Sequence, residues 1–333
     1  TRIVFNAERK VERIVPVIRN DAHRLIEECM LAANVAAARF LQRGKLPALY
    51  RIHELPPPAK LKDLREFLAE LGLRLGGGDE PTAKDYGELL DATRQRPDAH
   101  LIQTVLLRSM AQATYSPENV GHFGLAYPAY THFTSPIRRY PDLLVHRAIK
   151  HLLRGGKAAD FDYALPRLQA IGEHCSNTER RADEATRDAI DWLKCEYMLD
   201  KVGQEFRGII SGVNSFGLFV ELDDVYVTGL VHVTALDHDY FHFDPIGHRL
   251  AGERTGRVYR LGDPIWVQVA AVNLDDRKID FVLGATRAEE SVGRKRRRKA
   301  QPAPVADAAA PQERAPARDE GERRGSGRRR KRR

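Results

Sequence analysis

The sequence predicts an α+β protein in three parts: a mostly helical part over residues 1–201, a small five-stranded β-barrel over residues 202–284, and a disordered Arg/Lys-rich tail over residues 285–333. Three observations carry this prediction. Apolar residues recur at helical spacing in the first part. Five short β-branched runs, separated by Gly, Asp and Asn, follow in the second. From about residue 287 onward the chain has no Ile, Leu, Phe, Tyr or Trp, so it buries too little apolar surface to offset the entropy of ordering.

Length and composition exclude several protein classes. With 333 residues, 42% of them hydrophobic, the chain has enough material for more than one core. It has no run of 18 apolar residues and no apolar signal-peptide core, so we expect a cytoplasmic protein without a membrane span. Its three cysteines are far apart and form no C-x-x-C pair, which argues against a disulfide framework or a zinc ribbon. The chain starts at Thr1 within a polar segment, and we expect it to be part of a longer protein.

The net charge of +8 belongs to the tail. Residues 294–333 contain 16 Lys/Arg and 5 Asp/Glu, whereas the rest of the chain is close to neutral at −3. The runs G-R-K-R-R-R-K and R-R-R-K-R-R are typical of segments that bind phosphate backbones without reading sequence. Solubility, non-specific charge and nuclear import are alternative interpretations of the same residues.

Local signals place the elements of the first part. We predict a helix that begins after Asn20 and ends at Gly44, a short strand over 49–53, and further helices over about 61–71, 98–113 and 176–200. Ser176 and Glu179 have capping-box spacing, so the last helix is expected to begin there.

The stretch 122–152 combines aromatic rings with arginines. Ser135 can cap a helical turn with Pro136 at its first position, and the free N–H groups of such a turn favour an anion. Arg138 and Arg139 add fork-shaped donors that match a phosphate. Pro141 interrupts a continuous helix, so we expect a short turn and then a new helix over about 141–154. The alternative is an aromatic core with arginines on its solvated face.

Three blocks of sequence are more specific than composition. The first is H-F-G-L at 122–125 followed by T-S-P-I-R-R-Y at 134–140, D-L and H-R; the second is R-N-D-A-H-R-L-I-E-E-C-M at 19–30, continuing to residue 40; the third is E-R-R-A-D-E-A-T-R-D-A-I at 179–190, continuing to residue 198. Taken in their order along the chain, the three blocks resemble the ribonuclease II/ribonuclease R (RNB) family of processive 3′-to-5′ exoribonucleases, and within it the ribonuclease R branch. The resemblance covers residues 1–284.

The resemblance implies roles for individual residues. It implies that Arg138 is catalytic, reaching the scissile phosphate. It implies that Glu27 contacts the ribose of the 3′-terminal nucleotide, where a bond to the 2′-hydroxyl helps to discriminate RNA from DNA; the alternative for Glu27 is a surface helix carboxylate. Further RNA-binding candidates in the motif are Tyr130, Ser135, Arg139 and Tyr140. Arg139 and Tyr140 equally fit local pairing or packing.

The family's chemistry, as the resemblance implies it, is Mg²⁺-dependent hydrolysis by two metal ions, which releases nucleoside 5′-monophosphates. The family's metal-binding aspartates lie upstream of the segment equivalent to Thr1, so we assign no metal ligand here and expect the chain by itself to be inactive. Asp183, Glu184 and Asp188 lie among arginines, which favours a salt-bridged helix surface. The His/Asp-rich stretch 237–248 is expected in a long loop and not at a metal, and the glycines at 76–78 in a flexible turn.

The barrel segment carries a second motif. Its five strand-like runs are 205–213, 217–222, 227–233, 263–272 and 278–284, a number typical of the oligonucleotide-binding OB-fold. The patterns F-G-L-F-V at 216–220 and G-L-V-H-V-T at 229–234 resemble the S1-type RNA-binding domain. Phe216, Phe219 and His232 then share a face on which bases stack, and Lys278 and Arg277 hold phosphates. The alternative is that one Phe fills the barrel, since alternate residues point inward.

Two classes of function follow. The first is the C-terminal part of a ribonuclease R-like exoribonuclease whose partner is RNA, single-stranded or with a 3′ overhang. We expect a monomer that does not bind membranes, with the ribosome or the RNA-decay machinery as further partners. The alternative is a non-catalytic RNA-binding protein that uses the barrel and the basic tail. A translation factor using the barrel is a third option, but it leaves the first 200 residues unexplained.

Overall fold

The structure is a computed structural model that describes residues 1–284; the tail predicted to be disordered over 285–333 lies outside the described residues. The longer helices in the described part are α1 (Asp21–Arg43), α2 (Pro58–Glu70), α3 (Ala83–Thr93), α4 (Ala99–Ser109), α5 (Tyr140–Leu153) and α6 (Leu165–Met198). The strands are β1 (Arg2–Phe5), β2 (Val11–Val15), β3 (Tyr50–Ile52), β4 (Thr114–Ser116), β5 (Glu205–Asn214), β6 (Gly217–Leu222), β7 (Thr228–His232), β8 (Phe241–Asp244), β9 (Arg249–Gly252), β10 (Val258–Arg260), β11 (Pro264–Asn273) and β12 (Lys278–Leu283). The predicted mixed helix-and-sheet class is confirmed.

The helix starts of the first part follow capping chemistry. Asn20 caps α1: its side chain accepts the N–H of His23 at 3.0 Å, as predicted from the sequence. Helix α3 was not predicted, although Thr82 and Asp85 mark its start with a reciprocal capping box in which the Thr82 N–H donates to Asp85 at 2.7 Å. The signal was present but lay beside a glycine-rich turn.

Helix α6 begins at Leu165, well before the predicted start at Ser176. Ser176 is buried inside the helix, so the capping-box interpretation was wrong. Its hydroxyl donates to the carbonyl of Gly172 at 2.8 Å and accepts the N–H of Tyr115 at 3.0 Å. The hydroxyl therefore ties α6 to β4, a tertiary role that sequence spacing does not distinguish from a cap.

Two packing contacts position the elements that carry the motif. Ala37 and Leu41 of α1 share a core cluster with Val145 and Ala148 of α5, so the two motif helices lie side by side. At its other end α6 contributes Cys195 and Met198 to the same cluster as the barrel interior. Helix α6 thus joins the first part to the barrel.

The five predicted strands close into a barrel in the order β11-β12-β7-β6-β5, with β12 and β7 parallel and the other pairs antiparallel. Its interior is filled by fully buried side chains that include Leu218, Val220, Val231, Val267 and Phe281. Gly217 starts β6 with φ +155°, and a Cβ there would collide with the backbone oxygen of Val231. Only glycine allows β6 to approach β7 this closely beside Phe216.

The stretch 237–248 does not form a long loop. It contains β8, which pairs with β9, and β9 with β10, in a separate three-stranded sheet. Phe241, Leu250 and Tyr259, one from each strand, are buried in the core shared with the barrel. The strands are only three or four residues long, and their polar alternate positions hid the pattern.

None of the helices within residues 1–284 is long and apolar enough to cross a membrane. Cys29, Cys175 and Cys195 are all free thiols. Burial raises the pKa of the Cys195 thiol, which lies at the end of α6 beside the barrel.

Candidate active-site turn and nucleic-acid interface

The T-S-P-I-R-R-Y motif forms a tight turn just before α5. The carbonyl of Ser135 accepts the N–H groups of Arg138 at 3.3 Å and of Arg139 at 3.1 Å. The turn does not continue as a helix: α5 begins afresh at Tyr140 with Pro141 in its first turn, as predicted. The Ser135 hydroxyl does not cap the turn; it accepts Nη2 of Arg138 at 3.4 Å. Arg138 lies at the exposed end of this turn.

A buried carboxylate holds the turn from behind. Asp142 is fully buried in the first turn of α5. Its Oδ1 accepts both the N–H of Ser135 and Nη2 of Arg139, each at 2.8 Å. Arg139 is only 20% exposed in this pair, which gives it a protein partner in place of an RNA phosphate. Of the two interpretations left open for Arg139, the structure favours local pairing.

Tyr130 lies in the core and not on the surface that the sequence interpretation required. It is 5% exposed, and its hydroxyl accepts Nδ2 of Asn34 at 2.9 Å. Oδ1 of the same Asn34 accepts the N–H of Phe133 at 2.9 Å. These two hydrogen bonds connect the motif to α1 through Asn34. They correct the assignment of Tyr130 as an RNA contact, because the buried ring has no open face for a base.

A polar chain runs beneath the turn. Glu179 of α6 pairs with Arg51 at 2.6 Å, and the Arg51 guanidinium lies 4.7 Å from the centre of the Tyr115 ring. The Tyr115 hydroxyl and Nδ1 of His132 are hydrogen-bonded at 2.8 Å. Burial lowers the pKa of His132 to about 3, assisted by the charge of Arg139, and raises the pKa of Tyr115 to about 12. Both groups are therefore neutral at pH 7, and the arginines carry the positive charge here.

The other motif candidates lie at the surface. Tyr140, the first residue of α5, is 45% exposed. Glu27 lies on the exposed face of α1 and pairs with Arg19. Helices α1 and α5 pack together, so Glu27 and the Arg138 turn belong to one packed unit. The contacts of the described residues include none between the two side chains themselves.

The barrel presents the predicted aromatic face. Phe216 is 44% exposed, and its ring packs edge-on against Phe219 with centroids 6.0 Å apart. His232 lies opposite Gly217 in the β6–β7 ladder and is exposed, with Nδ1 2.8 Å from Oγ1 of Thr234. The alternative that one Phe fills the barrel does not hold. Leu218 and Val220 take the interior positions of β6, so Phe219 between them points outward, and Phe216 before the strand is 44% exposed.

This face borders a groove whose other wall is α6, a feature that the sequence did not reveal. The groove has a volume of about 510 Å³, within the range of small-ligand sites. Lys194 and Asp191 of α6 line it, together with Phe216, Phe219, Arg277 and Lys278. Nη2 of Arg277 lies 3.5 Å from Oδ2 of Asp188, which links the barrel to α6. Asp188 thus pairs with the barrel as well as belonging to the charged helix surface.

Residues 1–284 contain no group of three or more His, Cys, Asp or Glu side chains placed to hold a metal ion. The carboxylates of the 237–248 stretch have protein partners instead. Asp237 pairs with Arg257 at 2.5 Å, and Asp239 accepts backbone N–H groups of Arg254 and Thr255. The Thr255 hydroxyl also donates to Asp239. This bond, followed by the backbone bonds, holds the pKa of Asp239 well below its usual range.

Comparison with known proteins agrees with the motifs. The RNB domain model matches residues 1–155, and the S1 RNA binding domain model matches residues 199–284. The chain is 55% identical over 309 residues to ribonuclease R of Escherichia coli (strain K12), covering 90% of this chain and 38% of that protein. It is 46% identical over 270 residues to ribonuclease R of Aquifex aeolicus, covering 81% of this chain and 38% of that protein. The chain thus spans well under half the length of these relatives.

Solved structures show the same likeness. The apo form of Mycoplasma genitalium RNase R superposes with a TM-score of 0.79 at 29% identity, covering 85% of this chain and 45% of that one. The same protein in complex with ribose methylated single-stranded RNA gives 0.79 at 28% identity with the same coverage. Yeast Ssd1, described as a pseudonuclease, gives 0.58 at 24% identity over 70% of this chain and 29% of that one, a likeness of fold alone.

Proposed function

The chain belongs to the ribonuclease R family of RNB exoribonucleases, and on this premise we propose that it is the C-terminal part of a processive 3′-to-5′ exoribonuclease. In this proposal it supplies one half of the active site and a barrel that holds RNA. The observation that carries the proposal is the anchored turn, which presents Arg138 at the surface while its neighbour Arg139 is paired with a buried carboxylate. An exposed guanidinium on a fixed turn suits a phosphate that gains charge during hydrolysis.

Magnesium is part of the family's chemistry, but the described residues do not fit it. Two-metal hydrolysis needs several closely spaced oxygen ligands, and residues 1–284 contain no such group. We therefore assign no step of the reaction to a metal held by this part of the chain. We propose that the metal-binding residues of the working enzyme lie outside residues 1–284, and we expect the 333-residue chain by itself to bind RNA without hydrolysing it.

RNA is the proposed partner, single-stranded or with a 3′ overhang. The exposed Phe216 ring and the half-buried Phe219 ring beside it offer π-faces that accept any base. Lys278, Arg277 and Lys194 border the same groove, where they can meet phosphates along a strand. In the first part, Arg138 and Tyr140 are exposed and Ser135 is half-buried beside them. These three residues are proposed to contact the 3′ end of the RNA, and Glu27 is proposed to bind its ribose. The same proposal places the protein in the cytoplasm as a monomer, with the ribosome or the RNA-decay machinery as further partners.

The competing proposal is a non-catalytic RNA-binding protein. It rests on the missing ligand group in residues 1–284. The two proposals differ in one respect only: whether the protein releases nucleotides from the 3′ end of RNA.

The test is a Mg²⁺-dependent assay with the full-length protein that contains this chain, using RNA with a 3′ overhang. The exonuclease proposal expects nucleoside 5′-monophosphates from the 3′ end, and a severe loss of rate for Arg138→Ala. Arg154→Ala, at the exposed far end of α5, is the matched control and should keep the wild-type rate. Tight RNA binding without any release of nucleotides would instead support the non-catalytic alternative.

A further inference from the structure

Adjacent arginines in the motif turn have opposite environments. Arg139 is paired with the buried Asp142, whereas the ion pairs of residues 1–284 include none to Arg138. We propose that Asp142 is a positioning residue: it fixes the turn and neutralises Arg139, so that Arg138 alone remains available to a phosphate. This inference rests on the proposed exoribonuclease function and names a further residue on which that function depends.

The geometry of Asp142 fits this role. Its Oδ1 is bonded to the N–H of Ser135 and to the guanidinium of Arg139, both at 2.8 Å. These two bonds hold the backbone before Arg138 and the side chain after it. Arg138 therefore lies between two anchors that share one oxygen atom. Because Asp142 is fully buried on α5, its carboxylate is held in place by the packing of that helix and is shielded from solvent.

The arrangement leaves polar groups unsatisfied, which a purely structural pair would avoid. Oδ2 of Asp142, Nε of Arg139 and Oγ1 of Thr134 are buried without a hydrogen-bond partner among the described residues. A bidentate Arg–carboxylate pair satisfies both Nε and the second oxygen, and it is a common geometry. Here Oδ1 accepts from two donors instead, the Ser135 N–H and Nη2 of Arg139. The bond to the turn is made, and the bidentate pair with Arg139 is not. Unsatisfied buried groups of this kind often mark a functional constraint.

The same carboxylate decides which guanidinium is free. Without the Asp142 carboxylate, Arg139 loses its partner and the two guanidinium groups repel each other at the turn. The Ser135 N–H also loses its acceptor on α5. We expect Arg138 to move away from its productive position, and a misplacement of about 1 Å is enough to lower a rate by about 100-fold.

The experiment compares Asp142→Ala with Asp98→Ala, because Ala removes the acceptor oxygens, whereas Asn would keep an amide oxygen for the Ser135 N–H. Asp98 forms a bidentate pair with Arg96 at 2.8 Å in the α3–α4 connection, so it controls for the loss of an Asp–Arg pair away from the turn. The first measurement is hydrogen exchange of the 134–140 segment in the 333-residue chain. Asp142→Ala should lose protection of the Ser135 amide, and Asp98→Ala should keep it. Retained protection in Asp142→Ala would overturn the inference, and this result does not depend on enzyme activity.

The second measurement is a double-mutant cycle in the full-length protein. Asp142→Ala should lower the single-turnover rate at saturating RNA about tenfold or more, with RNA affinity unchanged. In the Arg138→Ala background the same substitution should change the rate by no more than about twofold, because its effect passes through Arg138. Additive effects, or a loss of affinity instead of rate, would show that Asp142 only stabilises the fold. If the wild-type protein releases no nucleotides, the proposed function fails, while the exchange result still decides whether Asp142 holds the turn.

Discussion

The motif turn and the barrel face, the two surfaces proposed to contact RNA, are built in different ways. At the turn one guanidinium is exposed and almost everything behind it is buried, hydrogen-bonded and fixed by α1 and α5. On the barrel the aromatic rings themselves are exposed, on a ladder of strands, beside a groove that both basic and acidic side chains line. This difference fits two tasks. Hydrolysis at one phosphate needs one charged group at a fixed position, whereas holding an RNA strand needs aromatic rings that stack on any base. We therefore expect the turn to control rate and the barrel to control affinity.

The largest expected effect is at Arg138. Loss of a donor that stabilises transition-state charge typically costs about 100- to 1,000-fold in kcat, so Arg138→Ala should fall in that range. Arg138→Lys keeps the charge but loses the fork of parallel donors, so its rate should lie between the alanine variant and wild type. Single-turnover hydrolysis at saturating RNA measures the rates of the two variants and of the wild type. Equal rates for Arg138→Lys and Arg138→Ala would show that bidentate geometry matters more than charge.

The barrel provides the next effect. Base stacking on an aromatic ring contributes about 1–3 kcal/mol per base, so Phe216→Ala and Phe219→Ala should each weaken RNA binding by that order. Tyr240→Ala is the matched control, because Tyr240 is an exposed ring 66% accessible to solvent but outside the groove. Binding of a single-stranded RNA, measured by fluorescence anisotropy, distinguishes them. Comparable losses for all three variants would contradict a localised barrel face.

The buried core beneath the turn makes a pH prediction. The folded-state pKa of His132 is about 3, below the ordinary 6.5, because burial disfavours the imidazolium. Below pH 6.5 the unfolded chain therefore binds the proton more readily, and stability falls as the pH drops towards 3. Between pH 7 and pH 5 this one group should cost about 2 kcal/mol. Urea unfolding of the 333-residue chain should show this loss, and His132→Asn should reduce it. His238→Asn, at an exposed histidine, should leave the pH dependence unchanged.

Glu27 carries the smallest expected effect. The ribose 2′-hydroxyl would donate a hydrogen bond to this carboxylate. Gln keeps a neutral acceptor oxygen and loses only the charge assistance, about 1 kcal/mol, so Glu27→Gln should lower the preference for RNA over DNA at the 3′-terminal nucleotide several-fold. The measurement compares chimeric substrates that differ only in that sugar. Glu28→Gln, at the neighbouring exposed position, is the control. If Glu27→Gln lowered cleavage of both substrates equally, its role would be structural and not selective.

Much of the fold could be predicted from the sequence because its signals are local. The Asn20 cap, the proline at the start of α5 and the five alternating runs of the barrel each specify an element without help from the rest of the chain. Errors arose where tertiary contacts decide. Ser176 has the spacing of a cap but bonds to Tyr115, and the 241–260 strands are too short to show a period of two.

For the candidate site, too, some features could be predicted from the sequence and others could not. The motif pointed to Arg138 and the Phe216/Phe219 face, which the structure places at the surface. It left the role of Arg139 open, since only the fold shows that Asp142 is buried and paired with it. It also could not show that Tyr130 is buried against Asn34, or that α6 forms the second wall of the barrel groove. These are contacts between residues far apart in sequence or set by side-chain burial, and no local pattern encodes them.

The most direct test of the division between rate and affinity measures both quantities in the same full-length protein. Single-turnover rate at saturating RNA and RNA dissociation constant are determined for Arg138→Ala and for the Phe216→Ala/Phe219→Ala double variant. We predict that Arg138→Ala loses rate with little change in affinity, and that the double phenylalanine variant loses affinity and regains the wild-type rate once RNA is saturating. A double phenylalanine variant that stays slow at saturation, or an Arg138→Ala variant that loses affinity alone, would contradict it.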